Sequence, residues 1–297
     1  MKQSIYESTQ KQIDTQNREF WDELCGSHMA RVLGIHDHSL ESLQRFDAAY
    51  FEYYPYLLNY IPLETLVGKR VLEIGLGYGS LSRKLILADT KYTGMDISWN
   101  AVRMTRTSGE LLSRPVDAVQ GNALQLPFAD DSFDAVVSIG CLHHSGNLQQ
   151  AVQEVYRILK HGGLTVVMVY NKYSFRFWRN FPLLTMKLWL SEMGLIRRAR
   201  IDTRPINPLY DRNIQDEGAP ETEYFSQREL RRIFQQFSRV QIEKENAEDI
   251  KIHIPAIRTS IRQREIAYNK LAHFKRNDLL ATLGKRFGID LYVSAEK

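Results

Sequence analysis

Apolar positions along the 297-residue chain change their period near residue 70. Before it, Phe46, Tyr50, Tyr53 and Tyr54 recur at helical spacing until Pro55 interrupts the pattern, which predicts a helix with an aromatic face. That face reads as core packing, with an aromatic wall beside a ligand as the alternative. From residue 70, short apolar runs alternate with helical stretches. The runs "RVLEIGL", "YTGMDIS", "VDAVQGN", "FDAVVSIG" and "LTVVMVY" predict strands, and residues 80–88, 99–112 and 148–159 predict helices between them, the last ending at a glycine cap in "HGG". Strands alternating with helices are the pattern of parallel βαβ units, so the expected fold is α/β, a doubly wound sheet.

After Tyr170 the period is lost, and residues 172–222 mix aromatics, arginines and prolines as an inserted lid would. "SQRELRRIFQQF" resumes a helix, with Ser226 as N-cap and Glu229 three positions on as its capping-box partner. "SRVQIEKEN" and "IDLYVSAEK" predict two more strands, separated by a Lys- and Arg-rich insertion at 248–287. The expected organisation is a helical cap over 1–66, a core over 67–171, the lid over 172–222, and the remainder of the core over 223–297.

Composition narrows this picture little. With 43% hydrophobic and 25% charged residues the chain can bury a core, and a net charge of +4 is too small for a dedicated nucleic-acid binder. The opening residues are polar, so no signal peptide is expected, and the apolar stretch at 181–190 is interrupted by Lys187 and too short to span a bilayer. Cys25 and Cys141 form neither a disulfide framework nor a zinc pattern, which fits a reducing cytoplasm. His36 and His38 flank Asp37 in a loop read as solvated, so no metal site is expected.

The sharpest chemistry lies in "VLEIGLGYGS". Its glycines fall at Gly75, Gly77 and Gly79, and Ser80 stands where a dinucleotide fingerprint would place its third glycine. Glu73, just ahead of the turn, suits a cationic ligand better than a diphosphate. S-adenosylmethionine carries a sulfonium and an ammonium and has no phosphate to cradle. Asp96 follows Gly77 by nineteen positions at the end of the second strand, where a carboxylate can accept both hydroxyls of a ribose.

With "YTGMDIS", "GNALQLPFADDSFDAVVSIGCLHH" and "EVYRILKHGGLTVVMVY", this turn makes four ordered blocks over roughly residues 68–170 that resemble the class I S-adenosylmethionine-dependent methyltransferases. The resemblance implies a Rossmann-like seven-stranded sheet of order 3-2-1-4-5-7-6 with its last strand antiparallel. It implies that Gly75 and Gly77 approach the cofactor, with Gly79 in the same turn, that Glu73 supports this turn, and that Asp96 binds the ribose. Ile97 would pack on the adenine, Ala123 would meet it through its backbone, and the chain at Ile139 would reach the methionine ammonium. Asn122 stands where the family commonly has an aspartate accepting the adenine amino group, a departure that an amide oxygen can fill.

Methyl transfer chiefly requires a positioned acceptor, and a base only where the acceptor starts protonated. His143, beside His144 after the fourth strand, is the candidate base, with a structural or cofactor-shaping role as the alternative. The absence of an Asp/Asn-Pro-Pro-Tyr run points away from nucleobase amino groups. The expected reaction is therefore methylation of oxygen or nitrogen in a small-molecule acceptor, such as a specialised metabolite. Two alternatives stand beside it. A tRNA-modifying enzyme would use "IRRAR", Arg258, Arg262, Arg264, Lys275 and Arg276, which otherwise read as a solvated face. A lipid or quinone methyltransferase would touch a membrane peripherally through 175–190.

Overall fold

The computed structural model describes residues 2–23, 27–114, 116–197, 202–213, 215, 217–246 and 284–297, with side chains from residue 9 onward. Three helices open the chain: α1 (Lys2–Trp21), α2 (Ser27–Val32) and α3 (Leu40–Tyr53). Eight strands follow: β1 (Arg70–Ile74), β2 (Lys91–Asp96), β3 (Asp117–Gln120), β4 (Phe133–Ile139), β5 (Leu159–Asn171), β6 (Tyr224–Phe225), β7 (Arg239–Glu245) and β8 (Asp290–Glu296). They form one sheet of order β3-β2-β1-β4-β5-β8-β7, with β6 paired to β5 off this path. Strands β1 to β5 are parallel, and β8 runs antiparallel to both β5 and β7. This is the expected order, its last two numbers raised by one because the two-residue β6 precedes them.

Helices α4 (Ser80–Leu87), α5 (Trp99–Leu111) and α6 (Leu148–Ile158) make the crossovers. Apolar residues on α6 at Leu148, Val152, Val155 and Ile158 are fully buried against Leu72, Val136 and Val167 on one face of the sheet. Leu81 and Leu85 of α4 meet Val71, Val137 and Val166 on the other. Each such aliphatic side chain contributes about 1.5–3 kcal/mol by leaving water, which is why these helices form where their apolar period points at the sheet.

One boundary differs from expectation. Helix α6 ends at Ile158, and "HGG" is not its cap: Leu159 is already extended and pairs with Phe133, and β5 continues through Gly162 and Gly163. A side chain on Gly163 would press on the carbonyls of Lys160 and Asp134, so the glycine admits close backbone packing within a strand rather than ending a helix. The capping box of the helix Gln227–Ile233 is present, Ser226 Oγ accepting from Glu229 N and the Glu229 carboxylate accepting from Ser226 N. Of the insertion at 248–287, only 284–287 fall within the described residues.

The aromatic stripe packs on the core. Phe46 of α3 is buried and stacks on Tyr78 of the glycine turn with ring centroids 4.0 Å apart. The same helix supplies Asp47, whose carboxylate takes a bidentate ion pair from buried Arg83 of α4 at 2.7 and 2.6 Å. Arg83 also donates to the Tyr78 carbonyl at 3.0 Å and to Ser108 Oγ of α5 at 3.1 Å. One guanidinium thus ties α3, α4, α5 and the glycine turn together. Asp47→Ala, which strands that buried charge, is expected to cost about 3–5 kcal/mol in urea unfolding. A loss within about 0.5 kcal/mol, the range of an ordinary surface change, would show that the clamp is not structural.

Candidate active site at the carboxyl edge of the sheet

The parallel strands deliver their carboxyl ends, and the loops after them, to one edge. Gly75, Gly77 and Gly79 follow β1 with φ of +88°, +51° and +80°, the left-handed region that glycine enters without strain. At Gly75 space matters as well as torsion, because a Cβ there would collide with Cys141 Cβ and Sγ. Across the edge, Asp96 ends β2 almost wholly buried. Leu76 N donates to its Oδ2 at 2.7 Å and Ser98 N to its Oδ1 at 2.8 Å. Burial raises the Asp96 pKa, and the surrounding backbone N–H groups of Ser98, Leu76, Gly77 and Ile97 oppose that rise.

Glu73 lies beneath the turn and accepts the Tyr92 hydroxyl at 2.6 Å. Burial pushes its pKa up to about 7, so its charge near neutrality is conditional, and its part in the turn is a buried hydrogen bond more than a fixed anion. Ile97 is half-buried after β2, and its carbonyl accepts from Gln120 Nε2 at 2.9 Å. Ala123 packs on the core beside Asn122, and Ile139 sits half-buried at the end of β4. Asn122 Oδ1 accepts from Leu124 N at 2.9 Å, and its Nδ2 donates to Asp14 Oδ2 at 2.8 Å. The anionic oxygen beside β3 therefore comes from α1, through Asp14.

Helix α1 lies across this edge. Gln10 Nε2 donates to the Ser145 carbonyl at 2.8 Å and Asn17 Nδ2 to the His144 carbonyl at 2.6 Å. Trp21 packs on the His144 ring with centroids 4.8 Å apart, and Asp22 accepts from Ser98 Oγ at 3.2 Å. Gln10, Asp14, Asn17 and Trp21 recur at four-, three- and four-residue intervals, one helix face. That spacing is visible in the sequence, but three of the four residues are polar, so no apolar stripe announces it.

His143 and His144 occupy a turn after β4, both buried, with ring centroids 4.1 Å apart. His143 packs at a tilt against Tyr170 with ring centroids 4.3 Å apart, and neither of its ring nitrogens makes a hydrogen bond of ordinary geometry, only a weaker one with the Met168 backbone that slightly opposes the fall of its pKa. Burial, then the neighbouring His144, holds its pKa well below the usual imidazole value, so it is neutral at pH 7. His144 Nδ1 lies 2.8 Å from the Glu221 carbonyl, which can only accept, so that nitrogen carries a proton. Its Nε2 stands 3.6 Å from Asp211 Oδ2, and Tyr170 donates its hydroxyl to the same carboxylate at 3.0 Å. Burial lowers the His144 pKa and raises that of Asp211, each opposed by the other's charge. Asp211 comes from the 172–222 stretch, and nothing in its local sequence marks it.

The edge can hold S-adenosylmethionine. The glycine turn lets a ligand approach the backbone, and the two direct N–H bonds leave Asp96 lone-pair capacity for ribose hydroxyls. Asp14 offers an acceptor next to Asn122. The buried guanidinium beside the turn, Arg83, is committed to Asp47 and leaves no reason to expect a phosphate there.

Fold and edge together define a methyltransferase core of class I, S-adenosylmethionine-dependent type, and residues 72–167 match the family described as Methyltransferase domain. That likeness rests on this core, 96 of the 297 residues. It is 32% identical over 124 residues to sterol 24-C-methyltransferase ERG6B of Gibberella zeae, covering 41% of this chain and 32% of that protein. It is also 32% identical over 115 residues to the ubiquinone/menaquinone biosynthesis C-methyltransferase UbiE of Vibrio campbellii, covering 35% of this chain and 42% of that one. The chain thus spans about a third to two-fifths of these curated relatives. A chain from the Haloferax volcanii complex of the Trm112 methyltransferase activator superposes with a TM-score of 0.55 at 18% identity, covering 94% of this chain and 96% of that one, which is a likeness of fold.

Two predictions follow from the buried polar groups. Asp96→Ala removes the acceptor for the proposed ribose and strands the Leu76 and Ser98 N–H groups, so it should abolish S-adenosylmethionine binding in calorimetry and also cost about 1–3 kcal/mol of stability. Undiminished affinity would refute the ribose assignment. His143, with its folded pKa below the unfolded value, contributes stability fully present above pH ~6.5 and lost as pH falls. His143→Phe removes that dependence, so its unfolding midpoint should gain on the wild type between pH 8 and pH 5. Parallel curves would show that the buried imidazole does not behave this way.

Proposed function

We propose that this chain transfers the methyl group of S-adenosylmethionine to an oxygen or nitrogen atom of a small-molecule acceptor, with His143 taking the acceptor's proton. The observation that carries this reading is the His143 imidazole: neutral, enclosed, with no side-chain hydrogen bond to either nitrogen, and placed on the edge that holds the glycine turn and Asp96. When bound, S-adenosylmethionine supplies an electrophilic methyl group. Glycine-turn backbone and Asp96 would hold it, with Asp14 and Asn122 at its adenine. Helix α1 and the 172–222 stretch would exclude water from the edge, where the cost of a misplaced acceptor is greatest.

In this reading an acceptor O–H or N–H would give its proton to a ring nitrogen of His143 as the new bond to the methyl carbon forms and that carbon's bond to sulfur breaks, the thioether leaving with the sulfur electron pair. His144 and Asp211 are positioning residues: the Glu221 carbonyl fixes the His144 tautomer, and Tyr170, bonded to Asp211, supplies the ring against which His143 packs. A second reading draws on the printed names of the relatives, a sterol and a quinone C-methyltransferase, and takes a lipid-like acceptor methylated at carbon. The exposed apolar face described below favours it. For the RNA reading, Arg258, Arg262, Arg264, Lys275 and Arg276 lie outside the described residues.

The test is single-turnover methylation of amine, phenol, quinol and sterol panels, read as incorporation of labelled methyl. His143→Ala should lower turnover by about 10²–10⁴-fold on O–H or N–H acceptors with cofactor affinity unchanged. Asp211→Asn should shift the pH profile of turnover while leaving that affinity alone. A His143→Ala enzyme with full turnover would remove the base from the proposal, and transfer confined to carbon acceptors would select the second reading.

A further inference from the structure

Among the described residues, thirteen large apolar side chains are exposed, and seven of them fall between positions 178 and 196. They belong to α7 (Phe175–Asn180), α8 (Pro182–Glu192) and the turn that follows. On α8, Leu183, Met186 and Trp189 recur at three-residue steps, and Met193 follows four later, a single stripe along the outer face of the helix. Leu183 is 77% exposed, and beyond Gly194 the stripe continues into Leu195 at 67%. Thr185 and Leu188 on the opposite side are buried, so the helix is docked by one face and bare on the other.

Among the described residues from 175 to 197, four are basic, Arg176, Arg179, Lys187 and Arg197, and one is acidic, Glu192. Arg176 is turned to the Tyr210 ring and the Leu209 carbonyl. Arg179, Lys187 and Arg197 are exposed. The Glu192 carboxylate is engaged, accepting from Ser226 Oγ at 2.6 Å and Tyr173 at 2.5 Å and lying 3.4 Å from Lys172 Nζ. A second copy of the chain is a poor partner, since a two-fold contact would set these cations against themselves. Apolar stripe, exposed cations and two exposed tryptophans, Trp178 and Trp189, are instead the combination that lies in the headgroup region of an anionic bilayer.

We propose that this face docks the protein on an anionic lipid surface, with α8 lying in the plane of the interface. No helix among the described residues is long and apolar enough to cross a membrane, so the contact is peripheral. Helix α7 begins four residues past the end of β5, and buried Phe177 packs with Tyr224 and Tyr210, which in turn meet Tyr170. Docking therefore brings the carboxyl edge of the sheet beside the lipid. The inference rests on this surface alone and does not depend on the methyl-transfer reading.

The experiment is flotation of the full chain with vesicles of phosphatidylcholine alone or with phosphatidylglycerol added, read alongside tryptophan emission. The protein should float with the anionic vesicles, with blue-shifted emission, and stay behind with the zwitterionic ones. The double variant Leu183→Glu, Met186→Glu should lose roughly tenfold or more in partitioning, and Arg179→Glu, Lys187→Glu a similar factor on anionic vesicles only. Because all four side chains are exposed, thermal midpoints should stay close to wild type. The proposal falls if the wild type fails to float with anionic vesicles, or if both double variants float as well as it does. It falls equally if the chain sediments as a dimer that Leu183→Glu, Met186→Glu converts to monomer, which would give this face to a second copy.

Discussion

A carboxylate that is taken out of water must be compensated by hydrogen bonds, and Asp96 organises the ligand edge by drawing backbone N–H groups to itself while keeping lone pairs for a ligand. Its two oxygens collect the N–H groups of Leu76, in the glycine turn, and Ser98, at the head of α5. The turn after β1 and the start of the helix after β2 are thereby fixed to one group. Any ligand held by this acid is also held at a set distance from the glycines. Arg83 repeats the logic one layer down, its guanidinium satisfied by Asp47, Ser108 and the carbonyl of Tyr78. Polar groups that would be costly if unpaired are the devices that give the turn a single shape.

The same principle closes the edge from above. Helix α1 is held there by side-chain amides bonded to the carbonyls of His144 and Ser145 and by Asp14 on Asn122, with Trp21 packed on the His144 ring. A cover fastened by hydrogen bonds whose partners lie on the loops after β3 and β4 costs little to lift compared with one fastened by a core, and it sits where a ligand must enter and leave. On the far side, the 172–222 stretch brings Asp211 to His144 and Tyr170. Two segments distant in sequence thus enclose one pair of histidines.

Much of the centre was legible before any coordinates. Strand ends and glycines at Gly75, Gly77 and Gly79, the acid at Asp96 and the helix periods at 80–88 and 99–112 all follow from local rules, because burial against a sheet imposes a period on its own residues. "HGG" misled for a local reason too: glycine caps helices and also admits close strands, and only the pairing of Leu159 with Phe133 decides between them. Not legible in the sequence was the raised pKa of Glu73, which burial produces against the opposing hydrogen bond from Tyr92.

By itself, the sequence determined the alternation of strands and helices, the glycine turn and the acid at its reach, since these depend on neighbours a few residues apart or on one repeated period. Only the tertiary structure decided that Asp14 stands beside Asn122, that His143 is enclosed without a side-chain hydrogen bond, that Asp211 faces His144, and that the stripe from Leu183 to Met193 is bare. The reason is physical: each of these is a relation between residues far apart in the chain, and exposure, desolvation and hydrogen-bond pairing are properties of the packed whole, which no local pattern encodes.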